Sequence, residues 1–370
     1  MTDLAGRTVV FRTDASRLMG TGHVMRCLAL AAALKARGAR CCFVGRAHAG
    51  NLLAYIVNQG HEVIALPTEL PAHGATQGTT VHAGWLGSDW ATDAQQVLVA
   101  LESWRVDWLI VDHYALDASW EAVLRPRVGR LMVIDDLADR PHACELLLDQ
   151  NLGRQVSDYA GRVPADCRVL AGPSFALLRP EFAALRERSL QRRAEAKLDR
   201  VLVTMGGVDR PNASGAVLQA LRRCALPPTC RIDLVMGPEA PWLADVQSQA
   251  AHLAWPTQMH VGVAGMAQLM AASDLAIGAA GGTAWERCCL GLPSLLVVLA
   301  DNQSPGARAL EASGAAILLG DTSSVARELP GVLGEVLRGQ RLTTMAAAAA
   351  QICDGLGVDR VVAEMAGFDG

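Results

Sequence analysis

Short apolar runs, each closing on small or acidic residues, alternate along the chain with longer segments in which apolar positions recur every three or four residues. The short runs read as strands buried on both faces and the longer segments as connecting helices, the pattern of parallel sheets wound with helices. In the first half strands are predicted near Thr8 to Arg12, Arg40 to Gly45, Glu62 to Leu66, Trp108 to Asp112, Leu131 to Asp135, Glu145 to Asp149 and Val169 to Gly172. The alternation then restarts, with strands near Val201 to Met205, Ile232 to Met236, Met259 to Gly262, Leu275 to Gly278, Ser294 to Leu299 and Ala316 to Leu319. Between the halves lies LRPEFAALRERSLQRRAEAKLD, in which Arg186, Arg188, Arg192, Arg193 and Lys197 are offset by Glu181, Glu187 and Glu195. It reads as a solvated connecting helix rather than a basic patch for an acidic partner. The expected organisation is therefore a domain over 1–180, a linker over 181–199 and a second domain over 200–370. The segment from Pro71 to Ala94 has no clear period, and an aperiodic stretch of that length is expected to be either disordered or a functional lid.

Composition narrows the function classes. Of 370 residues 51% are hydrophobic and only 19% charged, which excludes a largely disordered chain or a solvated coiled coil. Lys and Arg number 33 against 37 Asp and Glu, a net charge of -4, so no basic excess is available for a polyphosphate backbone and nucleic acid is not an expected partner. The start MTDLAGRTVVFRTD has no charged region followed by an apolar core, and the apolar stretch from Leu290 to Ala300 is short and interrupted by Gly291 and Pro293. No membrane span and a cytoplasmic location are expected. The ten cysteines form no C-x-x-C pair and read as buried reduced thiols; the nine histidines form no metal-ligand spacing, so neither a metal nor a cofactor is expected.

Candidate chemistry gathers at strand-to-helix turns. The strand VVFRTD runs into ASRLMGTGH and then a segment of helical spacing, placing Gly20, Gly22 and His23 where a parallel sheet binds ligands. The turn lacks the third glycine of G-x-G-x-x-G, and the second strand ends in Arg46 instead of an acidic residue, which disfavours NAD. His23 reads either as a general base or as an ordinary helix-start histidine, and Arg12 and Arg26 either as ligands for substrate oxygens or as ion-pair partners. In the second half DLAIGAAGGTAWERCCLGLP places Gly281, Gly282 and Thr283 in another glycine turn, which reads either as an anion cradle with Glu286 accepting from ribose hydroxyls or as a tight turn capped by Thr283 with an incidental glutamate. TMGGVD, with Gly207, is a third such turn, and Tyr114 and Asn302 follow strands where they could orient a water or a sugar hydroxyl, Asp301 and Asn302 reading also as helix caps. Asp135 and Asp136, adjacent on a predicted strand, point to opposite faces and make a poor metal pair.

Taken together, FRTDASRLMGTGHVMRCLALA, WLGSDW, VDHYALD, VIDDLADRPHACELLLDQN, GPSFALLRPEF, VLVTMGGVD and GAAGGTAWERCCLGLPSLLVVLADNQ resemble the UDP-sugar hydrolases of bacterial pseudaminic acid biosynthesis, over nearly the whole chain. The resemblance implies an α/β protein of GT-B fold: two Rossmann-like domains whose parallel sheets face across a cleft, UDP being held by the C-terminal one. It is similar in this to the glycosyltransferase that makes the peptidoglycan lipid precursor. The implied substrate is UDP-2,4-diacetamido-2,4,6-trideoxy-beta-L-altropyranose, cleaved with inversion to UDP and the free sugar. His23 falls on the general base, and Tyr114 and Asn302 on two further catalytic positions. Gly281, Gly282, Thr283 and Glu286 match the nucleotide segment, and Arg12, Asp14, Gly20, Gly22, Gly207 and Gln303 complete the expected substrate-binding set. Gly282 stands where a serine is expected, which removes a hydroxyl contact to phosphate and leaves the backbone N–H. A GT-B glycosyltransferase and a non-catalytic nucleotide-sugar-binding subunit are the alternatives.

Overall fold

The computed structural model describes residues 4–68, 80–195 and 197–369. The chain divides into two units, Met1–Leu177 with Gly357–Gly370, and Leu178–Leu356. In the first, strands β1 (Thr8–Thr13), β2 (Arg40–Arg46), β3 (Glu62–Leu66), β4 (Val106–Asp112), β5 (Val128–Ile134), β6 (Leu146–Asp149) and β7 (Arg168–Ala171) form a sheet of order β3-β2-β1-β4-β5-β6-β7. The second carries β8 (Arg200–Thr204), β9 (Arg231–Met236), β10 (Thr257–Val261), β11 (Leu275–Ala279), β12 (Ser294–Val298) and β13 (Ala316–Asp321) in the order β10-β9-β8-β11-β12-β13. All pairings are parallel. The strands lie where the apolar runs predicted them, with ends displaced by a few residues.

Burial explains why these runs are uniformly apolar. Val9, Phe11, Phe43 and Ile110 point to one face of the first sheet, beneath helix Gly22–Ala36, and Val10, Val44, Leu109 and Val111 to the other, and both faces are covered. In each sheet the strand order reverses at one place, between β1 and β4 in the first unit and between β8 and β11 in the second. Loops leaving those strands in opposite directions open a crevice at the carboxyl ends, the usual ligand position of a doubly wound sheet.

Two expectations about organisation change. The stretch expected as a solvated linker is helix Pro180–Arg192, and its arginines cap helices of the second unit. Arg186 donates to the carbonyls of Cys289, Ala350 and Cys353, and buried Arg193 donates to those of Ser189, Met270 and Ser273. Charge balance made this segment look solvated, whereas its guanidinium tips satisfy the orphan carbonyls of helix ends. The last helix, Gly357–Ala366, was expected in the second domain but packs Val358, Val361, Val362 and Met365 into the first unit's core. Gly357 permits this docking, because a Cβ there would come within 2.3 Å of the Ala176 carbonyl oxygen.

Of the aperiodic segment, residues 71–79 lie outside the described residues. Ala83–Trp85 forms one tight helical turn, and helix Trp90–Ala100 starts earlier than the glycine-rich sequence suggested, capped by the Asp89 carboxylate on the Thr92 amide. Among the described residues no helix is long and apolar enough to cross a membrane. All ten cysteines are free thiols.

Candidate active site

The first unit's site is built on the two strands that flank its switch point. Gly20, with φ of +80°, turns the chain after β1 in a conformation that a side chain would strain, and helix Gly22–Ala36 then sets His23 near its start. On the neighbouring strand Asp112 closes β4, paired in register with Thr13 of β1. The His23 ring meets it there, Nδ1 lying 2.6 Å from Asp112 Oδ1. With that nitrogen protonated toward the carboxylate, Nε2 carries the lone pair, and it has no hydrogen-bond partner among the described residues.

Arg26, one turn along the same helix, fixes the acid. It donates through Nε and one terminal nitrogen to the two Asp112 oxygens, each at 2.7 Å, and through the other to Asp136 at 2.6 Å. Burial alone would raise the Asp112 pKa, but Arg26 and His23 outweigh it and hold the carboxylate far below its ordinary range. Tyr114 donates its hydroxyl to Asp136 at 2.7 Å, and burial together with that carboxylate keeps the phenol protonated well above its ordinary pKa. An aromatic wall stands around this group: the His23 and Tyr114 rings meet edge-on at 4.6 Å, Trp85 stacks on Tyr114 at 5.7 Å, and His82 lies edge-on to Trp85 at 4.6 Å.

Arg12 and Asp14, expected to contact substrate, do not reach the surface. Their side chains are fully buried, Arg12 bridging Asp14 at 2.8 Å and Asp93 at 2.7 Å. Arg46 and the Trp120 indole also bind Asp93, while Asp14 accepts the Arg46 amide and faces His113 at 3.3 Å. This network ties helix Trp90–Ala100 to β1 and β2 behind the site and thereby positions the Trp85 turn. Arg26, left open between ligand and ion pair, is an ion-pair residue holding Asp112.

In the second unit the carboxyl end of β11 runs through Ala280, Gly281 and Gly282 into helix Thr283–Cys289. The amides of Gly281 and Gly282 find no acceptor among the described residues, and a side chain at Gly282 would meet nothing within 4 Å. Glu286 is half-buried, 3.8 Å from Arg179; burial pushes its pKa up to about 7 against the pull of Arg179 and Arg287. Gln303 is a brace: its carbonyl accepts the Leu299 amide at 3.0 Å and its amide nitrogen lies over Gly281. Asn302 is exposed and makes no hydrogen bond to the described residues. At the Gly207 turn, expected as a third anion cradle, the amides of Gly206 and Gly207 find no acceptor among the described residues, whereas the helix that follows is already capped. Asp209 accepts the amides of Ala213 and Ser214 and Asn212 that of Gly215, so the start of helix Ala213–Leu221 is satisfied internally.

Sequence reasoning missed Asp112 as the partner of His23. The signal was an acidic residue at the end of the strand neighbouring the glycine turn, in VDHY. Asp136 was weighed as a metal ligand, yet it is the acceptor that Arg26 and Tyr114 share. Among the described residues no group of three or more His, Cys, Asp or Glu is placed to hold a metal ion.

The catalytic-type pair in one unit and the glycine turn in the other can be set beside known proteins. Residues 201–356 match the glycosyltransferase family 28 C-terminal domain. The chain is 26% identical over 206 residues to the UDP-2,4-diacetamido-2,4,6-trideoxy-beta-L-altropyranose hydrolase of Campylobacter jejuni, covering 56% of this chain and 62% of that protein. It is 28% identical over 158 residues to the spore coat polysaccharide biosynthesis protein SpsG of Bacillus subtilis, covering 43% and 45%. The chain thus spans about half of the length of the curated relatives it matches. Among solved structures, Acinetobacter baumannii MurG superposes with a TM-score of 0.69 at 17% identity, covering 96% of this chain and 98% of that one. Phytolacca americana UGT2 does so at 0.68 and 12%, covering 98% and 99%. The fold is GT-B, with two Rossmann-like domains, and the chain is similar to enzymes that handle nucleotide sugars.

Proposed function

We propose that the chain hydrolyses a UDP-sugar, UDP-2,4-diacetamido-2,4,6-trideoxy-beta-L-altropyranose, to UDP and 2,4-diacetamido-2,4,6-trideoxy-L-altrose, a step of pseudaminic acid biosynthesis. The observation that carries the reading is the His23–Asp112 pair at 2.6 Å, with Nε2 left to accept a proton. The named activity of the C. jejuni relative supplies the substrate. His23 takes a proton from a water that attacks the anomeric carbon opposite the nucleotide; the new C–O bond forms as the sugar–phosphate C–O bond breaks, and the electron pair leaves with UDP. The imidazolium that forms is stabilised by Asp112, whose own charge Arg26 keeps in place.

Leaving-group charge is already spread over the diphosphate, so stabilisation there matters more than a strong general acid. The unpaired amides of the Gly281–Gly282 turn supply it, and Glu286 accepts from the ribose hydroxyls. Tyr114, neutral and anchored on Asp136, offers an aromatic face beside His23. Asn302, exposed on the turn Asp301–Gln303, is proposed to orient the water or a sugar hydroxyl.

A transferase reading is favoured by the match of residues 201–356 to a glycosyltransferase domain. The two separate on acceptor dependence. Purified protein given the UDP-sugar in buffer alone is expected to release UDP at the same rate with and without added alcohols. Release only on addition of an alcohol acceptor would establish the transferase instead.

A further inference from the structure

The glycine turn of the second unit lies against a buried cation that the proposed chemistry has not used. Arg287 is 1% exposed, yet it has no carboxylate within ion-pair distance among the described residues. Its guanidinium donates to the Ala279 carbonyl at 2.7 Å and to the Thr283 hydroxyl at 3.2 Å, and its Nε is buried without a partner. These two acceptors bracket the turn at residues 280–282, so the charge lies along its underside. Gly278 makes room for it, since a Cβ there would stand 2.8 Å from the guanidinium.

The other deeply buried arginines are compensated. Arg12, Arg26 and Arg140 each pair with a carboxylate, and Arg46 shares Asp93. Arg193 has no carboxylate but donates to three carbonyls and to the Ser189 hydroxyl. Arg287 alone in this set has two neutral acceptors and nothing more. Burying a guanidinium so sparsely paired is costly unless an anion comes to it. Adjacent Glu286 does not fill that role, because it lies beyond ion-pair distance and burial favours its protonated form.

Resting on the UDP-sugar reading, we infer that Arg287 is the buried counter-charge for the diphosphate of the bound nucleotide, acting through the backbone of the Ala280–Gly282 turn rather than by touching the ligand. It makes the turn selective for a doubly charged phosphate chain over a neutral nucleoside. At a separation of about 7 Å and an effective dielectric of about 40 to 60, between that of a protein surface and bulk water, one lost charge facing a dianion corresponds to about 10- to 100-fold in affinity.

The experiment is calorimetric titration of the whole chain with UDP and with uridine, comparing wild type, Arg287→Met and Arg287→Lys. Arg287→Met is expected to weaken UDP by about 10- to 100-fold while uridine changes by less than about twofold, with Arg287→Lys recovering most of the loss. Equal UDP affinity in wild type and Arg287→Met, or equal losses for UDP and uridine that lysine does not rescue, would overturn the inference and leave the nucleotide reading intact. Wild type that binds neither ligand would sink that reading itself. A second measurement needs no variant: 5 mM pyrophosphate is expected to raise the Tm of wild type by ~2 °C or more beyond sodium chloride of equal ionic strength. No difference between the two salts would also overturn the counter-charge.

Discussion

Replacing Asp112 by asparagine tests the pair at the centre of the mechanism with almost no change in volume. Asp112 Oδ1 is 2.6 Å from His23 Nδ1, and both carboxylate oxygens accept from Arg26 at 2.7 Å. Two unit charges about 4 Å apart interact by about 4 kcal/mol at an effective dielectric of about 20, so neutralising Asp112 removes stabilisation of that order from the His23 imidazolium. The asparagine carbonyl still accepts from Nδ1 and restores part of it. Net loss is then about 3 to 4 kcal/mol, or about 10²- to 10³-fold in kcat. The amide nitrogen that replaces Oδ2 cannot accept from Arg26 Nε, so some stability is lost, but Arg26 keeps its 2.6 Å contact to Asp136 and the fold and UDP affinity are expected to survive. The assay is coupled UDP release under saturating substrate, with circular dichroism and UDP titration on the same preparations. A folded Asp112→Asn that binds UDP normally and turns over within about fivefold of wild type would rule out Asp112 as the stabiliser of the imidazolium.

Other consequences can be checked in parallel. Asparagine at His23 is expected to cost about 100-fold or more in turnover while calorimetry shows UDP binding unchanged; equal turnover removes His23 from the mechanism. Because burial lifts Glu286 to about 7, uridine affinity should rise as pH increases through 7, where the carboxylate forms and accepts from ribose, and Glu286→Gln should flatten that profile. The same raised pKa means that the folded state holds this proton more tightly than the unfolded chain. Its contribution to stability is therefore lost as pH rises from about 4.5 to 7, a slope that denaturant titrations should show reduced in Glu286→Gln. Valine at Gly357 would drive its Cβ into the Ala176 backbone, 2.3 Å from the carbonyl oxygen, and should lower unfolding free energy by about 3 kcal/mol in urea melts.

The strands were legible because both sheets are parallel and buried on two faces, so each strand appears as an uninterrupted apolar run. The glycine turns were legible too, since Gly20 needs a positive φ and only glycine adopts it without strain. What sequence could not display is which side chains meet across neighbouring strands. Asp112 and His23 are 89 residues apart and become partners only because β4 lies beside β1. For the same reason Arg12 and Asp14 look like substrate ligands in the string FRTD, whereas their real partners, Asp93, Arg46 and His113, come from later elements that bury them. Helix Pro180–Arg192 misleads in the opposite direction, its charges appearing solvated until the carbonyls they cap are seen.

In the proposed mechanism a His23-activated water displaces UDP from the anomeric carbon. Proton NMR of the acceptor-free reaction in oxygen-18 water, sampled before the sugar mutarotates and followed by mass spectrometry, reads it most directly. The first free sugar is expected to be the alpha anomer, carrying the label, with UDP unlabelled. Label in UDP, or a beta anomer appearing first, would contradict it.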